Sequence, residues 1–212
     1  MKDFEVIKQQ ICEIGKRLYD KGFVPGKSGN ISVQIDDYML ITPSGYNLGD
    51  VTPSLIPIIN IETGEFEGGK PPSSERNMHL EIYRKRPDLS CIIHAHCPKS
   101  TAFAIAGRAL NMPVLAEGVL SLGSIPVASY AMPSSQELAD FVSEKFLEND
   151  VVLMANHGVV IGNKNLLDAY YVVETLEMFA ETVLWTKVLG NANELSSSEM
   201  QKLKDLKKRL AQ

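Results

Sequence analysis

The chain has 212 residues, of which 44% are hydrophobic and 22% are charged, and its formal net charge is -5. This composition excludes a disordered, fibrous or coiled-coil chain, and the lack of a Lys/Arg surplus argues against nucleic-acid binding, since that surplus provides affinity for phosphate backbones. A chain of this length buries one substantial core, so we expect a single domain over residues 1–212.

The first half of the chain predicts a helix followed by two hairpins. Apolar residues recur at helical spacing from Phe4 to Leu18, which predicts a helix over about Asp3 to Lys21 that stops at Gly22. A loop, "FVPGKSGN", follows. The β-rich runs "ISVQI" and "YMLITP" flank Asp36-Asp37, and "LIPIINI" and "EFEGG" flank Thr63-Gly64. Both pairs predict antiparallel hairpins.

The second half alternates helices and apolar runs. Ser73 or Ser74 is expected to N-cap a helix that runs to about Lys85. The remaining predicted elements are a buried strand "SCIIHAH", a helix over 99–107, a short strand "SIPVASY", a capped helix "SSQELADFVSEKFLEND", a buried strand "VVLMANHG", a long helix over about 166–189 and a charged helix over 197–210. Helices before, between and after the hairpins predict an α/β fold with three layers, α/β/α, around a partly antiparallel sheet.

The cysteines and the apolar runs bear on the compartment. Cys12, Cys91 and Cys97 are odd in number and form no C-x-x-C pair, which argues against a disulfide framework or a zinc knuckle. No run approaches the about 20 apolar residues that span a bilayer, so we expect no membrane segment. The cytoplasm is the simplest compartment for such a chain.

The stretch "CIIHAHCP" carries two of the chain's four histidines. On a strand, side chains two positions apart point to one face roughly 6–7 Å apart, so His94 and His96 suit a single metal ion. The alternative is that they are polar residues where a strand ends. His157 lies at the end of a second buried run and precedes Gly158, which permits a close backbone approach. Three histidines at strand ends match the protein ligands of an open catalytic zinc site.

A carboxylate is expected beside such a metal ion. Glu75 is the best placed, in the first turn of the helix before the H-x-H strand, although a capping or helix-dipole role explains a glutamate there equally well. His79 lies four residues later and shares its helix face. Spacing alone leaves open whether Glu75 or His79 reaches the metal.

The chain resembles the class II aldolase/adducin family, and within it the L-fuculose-1-phosphate aldolase group. The resemblance covers nearly the whole chain and rests on segments in family order: "GKSGNISV" (26–33), "LITPSG" (40–45), "KPPSSERNMHLEIYRKRPDLSCIIHAHCPKSTAFAI" (70–105), "SIPVASYA" (124–131) and "ANHGVVIGNKNLLDA" (155–169). It implies an α/β/α fold with a mainly antiparallel central sheet and a homotetramer with active sites between subunits.

Carried over by residue, the resemblance makes His94, His96 and His157 the zinc ligands, with manganese or cobalt as alternatives to zinc. Glu75 becomes the carboxylate that ligates the metal and acts as acid/base, and His79 becomes a non-ligand. The substrate phosphate site maps to Lys27, Gly29, Asn30, Ser44, Gly45, Ser73 and Ser74. Glycine loops, hydroxyls and a helix start suit a phosphate dianion.

The activity implied is retro-aldol cleavage of a ketose 1-phosphate, either L-fuculose 1-phosphate or a related 5-deoxy or methylthio sugar, to dihydroxyacetone phosphate and an aldehyde. The chain departs from the best-known aldolase pattern, because "PVLAEGVLSLGSIPV" lacks a tyrosine and "MQKLKDLKKRLAQ" lacks an aromatic residue. Glu117 is the candidate second proton donor, with a solvated interface glutamate as the alternative reading.

Three other activities exist within the family. They are sugar-phosphate 4-epimerisation, methylthioribulose-1-phosphate dehydration and a non-enzymatic adducin-like binding role. Glu75 argues against the ribulose-phosphate epimerase branch, where an aspartate is found. The intact set of three histidines argues against the binding role.

Overall fold

A computed structural model describes residues 4–210 and contains one eight-stranded sheet with the strand order β4-β3-β2-β1-β5-β8-β7-β6. All neighbouring strands are antiparallel except the parallel pair β6 and β7. The strands are β1 (Asn30–Ile35), β2 (Tyr38–Ile41), β3 (Ile58–Asn60), β4 (Phe66–Glu67), β5 (Cys91–Ala95), β6 (Val127–Ala128), β7 (Val151–Met154) and β8 (Gly158–Asn163). The α-helices are α1 (Phe4–Asp20), α2 (Arg76–Lys85), α3 (Pro98–Ile105), α4 (Ala116–Ser121), α5 (Gln136–Lys145), α6 (Leu166–Leu189) and α7 (Ser197–Leu210).

Apolar side chains cover the sheet on both faces and form two hydrophobic clusters. Alternate residues of the central strand divide between them, since Ile93 packs in one cluster and Ile92 in the other. The first cluster also takes the apolar faces of α1, α3 and α6, and the second takes those of α2 and α5. The predicted three-layer α/β/α fold with a mainly antiparallel sheet is therefore confirmed.

Several predicted elements match the structure closely. The first helix ends at Asp20, and Gly22 follows with a φ of +74°, as a left-handed C-cap glycine requires. The predicted start at Asp3 lies outside the described residues. Both hairpins form, and the long helix spans Leu166–Leu189. Ser135 caps α5 by accepting a hydrogen bond from the backbone N–H of Leu138.

The prediction that Ser73 or Ser74 caps α2 is wrong. The helix begins at Arg76 and has Glu75 at its N-cap position. The backbone N–H of Ser73 donates to the carbonyl oxygen of Thr42, and a bridge pairs Pro43 with Pro72. These contacts pair residues 72–73 with the segment just after β2, and the helix starts only beyond them. Glu75 therefore does not lie in a first helical turn.

The predicted strand "VVLMANHG" is shorter than expected, and a hairpin takes its place. Strand β7 ends at Met154, and Gly158 begins the returning strand β8, which the sequence interpretation missed. Asn156 has a φ of 56° in the turn between them. His157 consequently lies in a tight turn rather than at the end of a strand. The helix α4 was also missed, and the strand predicted for 124–130 is reduced to Val127–Ala128.

Across residues 4–210, the structure has no helix long and apolar enough to cross a membrane.

Candidate metal centre and active site

The candidate site lies at one end of the central strands, where the end of β5, the start of β1 and the β7–β8 turn meet. Strand β5 is central, and its register places His94 opposite Asn30 on β1 and opposite Val160 on β8. His96 follows two positions later, just after the strand ends. The turn before β8 adds His157. Two segments that are distant in sequence thus bring three imidazoles to the same place, beside Asn30 of β1.

The three imidazoles face a common point. Their ring centroids are 4.8 Å (His94 to His96), 4.9 Å (His94 to His157) and 5.2 Å (His96 to His157) apart. One nitrogen from each ring lies within 4.8 Å of the others. This is the spacing expected of ligands that share one metal ion. His79, the fourth histidine, does not belong to this group.

A hydrogen bond orients His94 for ligation. Its Nδ1 lies 2.9 Å from the carbonyl oxygen of Val159, and because a carbonyl only accepts, Nδ1 carries the proton. In the neutral ring the lone pair is then on Nε2, which points into the centre. Such a carbonyl partner on the distal nitrogen is typical of metal-bound histidines.

The donor set fits a divalent cation. His94 Nε2 lies 3.2 Å from Glu75 Oε2 and 3.0 Å from His96 Nε2. His157 Nε2 lies 3.5 Å from Glu75 Oε1, and that oxygen is buried with no hydrogen-bond partner. A lone pair and a carboxylate this close repel each other unless a cation lies between them. These atoms therefore match a site of three imidazoles and one carboxylate.

The local pKa values keep His96 and His157 neutral and Glu75 ionised near neutral pH. Burial first, and then His94 and His157, lower the pKa of His96 to about 3. Burial and His94 likewise lower the pKa of His157 to about 4. Burial raises the pKa of Glu75, but the imidazoles of His94 and His157 and the amide of Asn30 outweigh burial, so this pKa lies below its usual value. Neutral imidazoles beside a carboxylate are the protonation states that metal binding requires.

Gly158 allows the imidazoles to close on one another. A Cβ atom at this position would lie 2.5 Å from the carbonyl oxygen of Ala95, 2.9 Å from His96 Cδ2 and 3.2 Å from His94 Cε1. Its φ is not in the left-handed region, so the need for glycine here is one of space. This is the close backbone approach that the sequence suggested.

A polar pocket of about 190 Å³ opens beside the histidines. It contains all seven residues predicted for the phosphate site, together with Glu75, His96 and His157. The predicted set that lines it is Lys27, Gly29, Asn30, Ser44, Gly45, Ser73 and Ser74. The structure thus brings the predicted metal and phosphate residues to one cavity.

The groups in this pocket differ in what they offer an anion. The backbone N–H groups of Ser44 and Ser73 already donate to the carbonyl oxygens of Pro71 and Thr42, so their hydroxyls are the remaining donors. The Asn30 side chain is also engaged, because its Nδ2 donates to Glu75 Oε2 at 3.0 Å. Lys27 is exposed at the pocket and adds a positive charge.

Four further residues line the pocket and were missed in the sequence, namely Ser28, Pro43, Pro133 and Ser134. Ser134 has a φ of 67°, a conformation that non-glycine residues adopt rarely and often at functional sites. The segment "MPSSQ" contains Pro133 and Ser134, but the sequence interpretation assigned the serines there only to the cap of α5.

Glu117 lies apart from this cavity. It is exposed in α4 and does not line the pocket of its own chain. His79, in contrast, is fully buried behind the site, and its Nε2 lies 2.6 Å from Asn30 Oδ1.

Comparisons with known proteins point to one family. Residues 9–184 match the model of the Class II Aldolase and Adducin N-terminal domain. The chain is 32% identical to a 5-deoxy-D-ribulose 1-phosphate aldolase of Bacillus thuringiensis, with 92% of each chain covered. It is 33% identical to a 3-oxo-tetronate 4-phosphate decarboxylase of Haemophilus influenzae, with 82% of this chain and 85% of that protein covered. A solved structure of an L-fuculose 1-phosphate aldolase superposes with a TM-score of 0.88 at 33% identity, covering 95% of each chain.

Proposed function

The chain belongs to the class II aldolase and adducin family, and we propose that it is a metal-dependent aldolase that cleaves a ketose 1-phosphate to dihydroxyacetone phosphate and an aldehyde. The proposed substrate is L-fuculose 1-phosphate or a related 5-deoxy or methylthio ketose 1-phosphate. The observation that carries the proposal is the convergence of three imidazoles and a buried carboxylate on a pocket lined by glycine loops and serines.

The proposed cofactor is one Zn²⁺ per subunit, held by His94, His96, His157 and Glu75, with Mn²⁺ or Co²⁺ as alternatives. A nitrogen-rich set of this kind favours zinc among the common divalent ions. When bound, the metal supplies Lewis-acid stabilisation of the negative charge that develops on the substrate oxygens.

The phosphate group is proposed to bind in the polar pocket. The hydroxyls of Ser44, Ser73 and Ser74 and the charge of Lys27 are the donors, while Gly29, Asn30 and Gly45 shape the wall. Gly29 has a φ of +73°, and a Cβ there would lie 2.8 Å from the carbonyl oxygen of His94, so the phosphate loop packs directly on the metal strand. This contact supports a phosphate position close to the proposed metal position.

Glu75 is proposed to transfer the proton at carbon 3. On substrate binding, Glu75 would leave the metal position and take up a proton from water. Cleavage of the C3–C4 bond leaves an electron pair on C3 as an enediolate, and the protonated Glu75 then gives that proton to C3 to form dihydroxyacetone phosphate. Its Oε2 is held by the Asn30 amide, whereas Oε1 has no hydrogen-bond partner and is free to exchange the proton. A second group accepts the C4 hydroxyl proton, and Glu117 is proposed for this step from a neighbouring subunit.

The remaining parts of the proposal concern the whole molecule. We propose one class II aldolase/adducin domain over residues 1–212, located in the cytoplasm. The proposed assembly is a homotetramer with active sites at the subunit interfaces, without a nucleic-acid or membrane partner.

A coupled assay for dihydroxyacetone phosphate tests the proposed reaction. Metal-loaded protein is incubated with a panel of ketose 1-phosphates, and metal-stripped protein and unphosphorylated ketoses are the controls. We expect dihydroxyacetone phosphate only with phosphorylated substrate and metal. A product that keeps the complete carbon skeleton would replace this proposal with epimerisation or dehydration.

Decarboxylation is a second candidate, favoured by the match to the 3-oxo-tetronate 4-phosphate decarboxylase. Loss of CO₂ from such a 3-oxo acid breaks a carbon–carbon bond and leaves an enediolate, as the aldol cleavage does. The same Glu75 protonation would complete either reaction. Release of CO₂ from a 3-oxo-tetronate 4-phosphate, without cleavage of any ketose 1-phosphate, would assign the chain to this activity.

A further inference from the structure

A row of buried polar side chains extends away from the metal centre behind Glu75. Asn30 Nδ2 donates to Glu75 Oε2 at 3.0 Å, and Asn30 Oδ1 lies 2.6 Å from His79 Nε2. His79 Nδ1 lies 2.7 Å from Ser32 Oγ, which in turn lies 2.8 Å from the hydroxyl of Tyr83. We call Asn30, His79, Ser32 and Tyr83 the polar row. It connects the inner strand β1 and helix α2 to the carboxylate.

Every hydrogen bond in the polar row has one consistent direction. A carboxylate only accepts, so the Asn30 amide nitrogen faces Glu75 and its oxygen faces His79. His79 Nε2 therefore carries a proton and donates it to Asn30. In a neutral ring Nδ1 then accepts from the Ser32 hydroxyl, and Ser32 accepts from Tyr83. Each donor points toward Glu75.

Solvent does not reach the members of this row. His79 and Ser32 are completely buried, and Asn30 is 4% exposed. An Asn30 oxygen that lost its donor would be left unsatisfied in the protein interior, and the amide would be free to rotate or flip. The orientation of the Asn30 amide is therefore set by two contacts, the one to Glu75 and the one from His79.

We propose that His79 is a positioning residue for the reaction, acting through Asn30 on Glu75. By donating from Nε2, His79 fixes the amide so that Asn30 holds Glu75 Oε2. The other oxygen, Oε1, is then left without a partner, facing His157 and the pocket. One oxygen is anchored and the other is available for the metal or the proton. This inference rests on the proposed function. It gives a role to the fourth histidine, which is buried behind Asn30 and does not face the metal group.

Two substitutions separate positioning from packing. The side-chain amide nitrogen of glutamine corresponds to Nε2 of histidine, so His79→Gln keeps the donor to Asn30. Asparagine reaches only as far as Nδ1, so His79→Asn keeps a partner for Ser32 and loses that donor. We expect kcat to fall about 10- to 100-fold in His79→Asn, with little change in KM or metal content, and to recover to within a few-fold in His79→Gln.

A double-mutant cycle tests whether the effect passes through Glu75. In a Glu75→Gln background, His79→Asn should have almost no further effect on kcat, because the group that it positions is already absent. Equal losses in His79→Asn and His79→Gln would assign His79 a packing role. A full additional loss in the Glu75→Gln background would also overturn the inference.

A spectroscopic readout makes the test independent of turnover. In zinc-loaded protein labelled with carboxyl-¹³C glutamate, the Glu75 signal is identified as the one missing from Glu75→Gln. We expect this signal to move by more than its linewidth in His79→Asn and to stay in place in His79→Gln. An unmoved signal in His79→Asn contradicts the inference even if the wild type cleaves ketose phosphates. A wild type without aldolase activity contradicts the proposed function instead, and the signal still decides the role of His79.

Asn30→Asp provides a second route if His79→Asn does not fold. It has the same shape and still accepts from His79, but it offers no N–H to Glu75. The Glu75 signal should move in this variant too, and a signal unchanged from the wild type would refute the proposed contact.

Discussion

Substituting alanine for Gly158 should disrupt the metal centre without touching a metal ligand. The added methyl group would lie 2.5 Å from the carbonyl oxygen of Ala95, which is backbone and has little freedom to move. Ordinary contact begins near 3.4 Å, so the two groups must separate by about 0.9 Å. His96 and His94 lie on the same path, at 2.9 Å and 3.2 Å. A misplacement of about 1 Å costs on the order of 10²-fold in turnover, and overpacking costs about 1–3 kcal/mol of stability.

The matched control is Gly162→Ala, four residues further along β8. Its methyl group would lie 2.6 Å from Leu89 Cδ1 and 2.9 Å from Phe146 Cε1, which are side-chain atoms in the core rather than site residues. Both variants should lose stability in thermal melts. Zinc affinity, measured by competition with a chelator, and turnover should fall only in Gly158→Ala. Wild-type zinc affinity in a folded Gly158→Ala protein would refute the close-packing argument.

Three further predictions concern individual side chains. His157→Ala should lower bound metal and activity together, whereas the control variant His79→Gln should keep its metal. Elemental analysis of the two purified proteins measures this, and full metal content in His157→Ala would show that His157 is not a ligand. Ser74→Ala should raise KM for the phosphorylated ketose about 10- to 100-fold, because a hydrogen bond to a charged group is lost. If the wild type turned over the unphosphorylated ketose as fast as the phosphorylated one, that result would contradict a phosphate site. Burial, and then His94, lower the pKa of His79 to about 3. Between about pH 6.5 and 3, His79 is therefore protonated in the unfolded chain and neutral in the folded chain. The free energy of unfolding of the metal-free protein should be highest above this range and should fall as the pH decreases, with His79 contributing about 1.4 kcal/mol per pH unit. In urea unfolding measured at several pH values, His79→Gln should show a correspondingly weaker dependence of this free energy on pH.

The histidine arrangement could be predicted in large part because strand geometry is local. Alternation along a strand places His94 and His96 on one face, and this holds although the strand formally ends at Ala95. The position of His157 was predicted less well. The left-handed turn at Asn156 converts the expected strand end into a hairpin, and the sequence does not specify this conformation for asparagine.

The choice between Glu75 and His79 depended on contacts that the sequence does not contain. The prediction assumed one shared helix face, but the pairing of residues 72–73 with the region after β2 delays the helix to Arg76. Glu75 then turns to the histidines and His79 turns to Asn30. The pocket wall formed by Pro133 and Ser134 was missed for the same reason, since it depends on long-range packing rather than on a local motif.

The central claim is that Glu75 moves the proton beside a metal held by three histidines. The most direct test is the turnover of zinc-loaded Glu75→Gln with the ketose 1-phosphate that the wild type cleaves best, with metal content measured in the same sample. The account predicts a folded protein that retains most of its zinc and releases dihydroxyacetone phosphate on the order of 10²–10⁴ times more slowly. Near-normal release of dihydroxyacetone phosphate by this variant would contradict it.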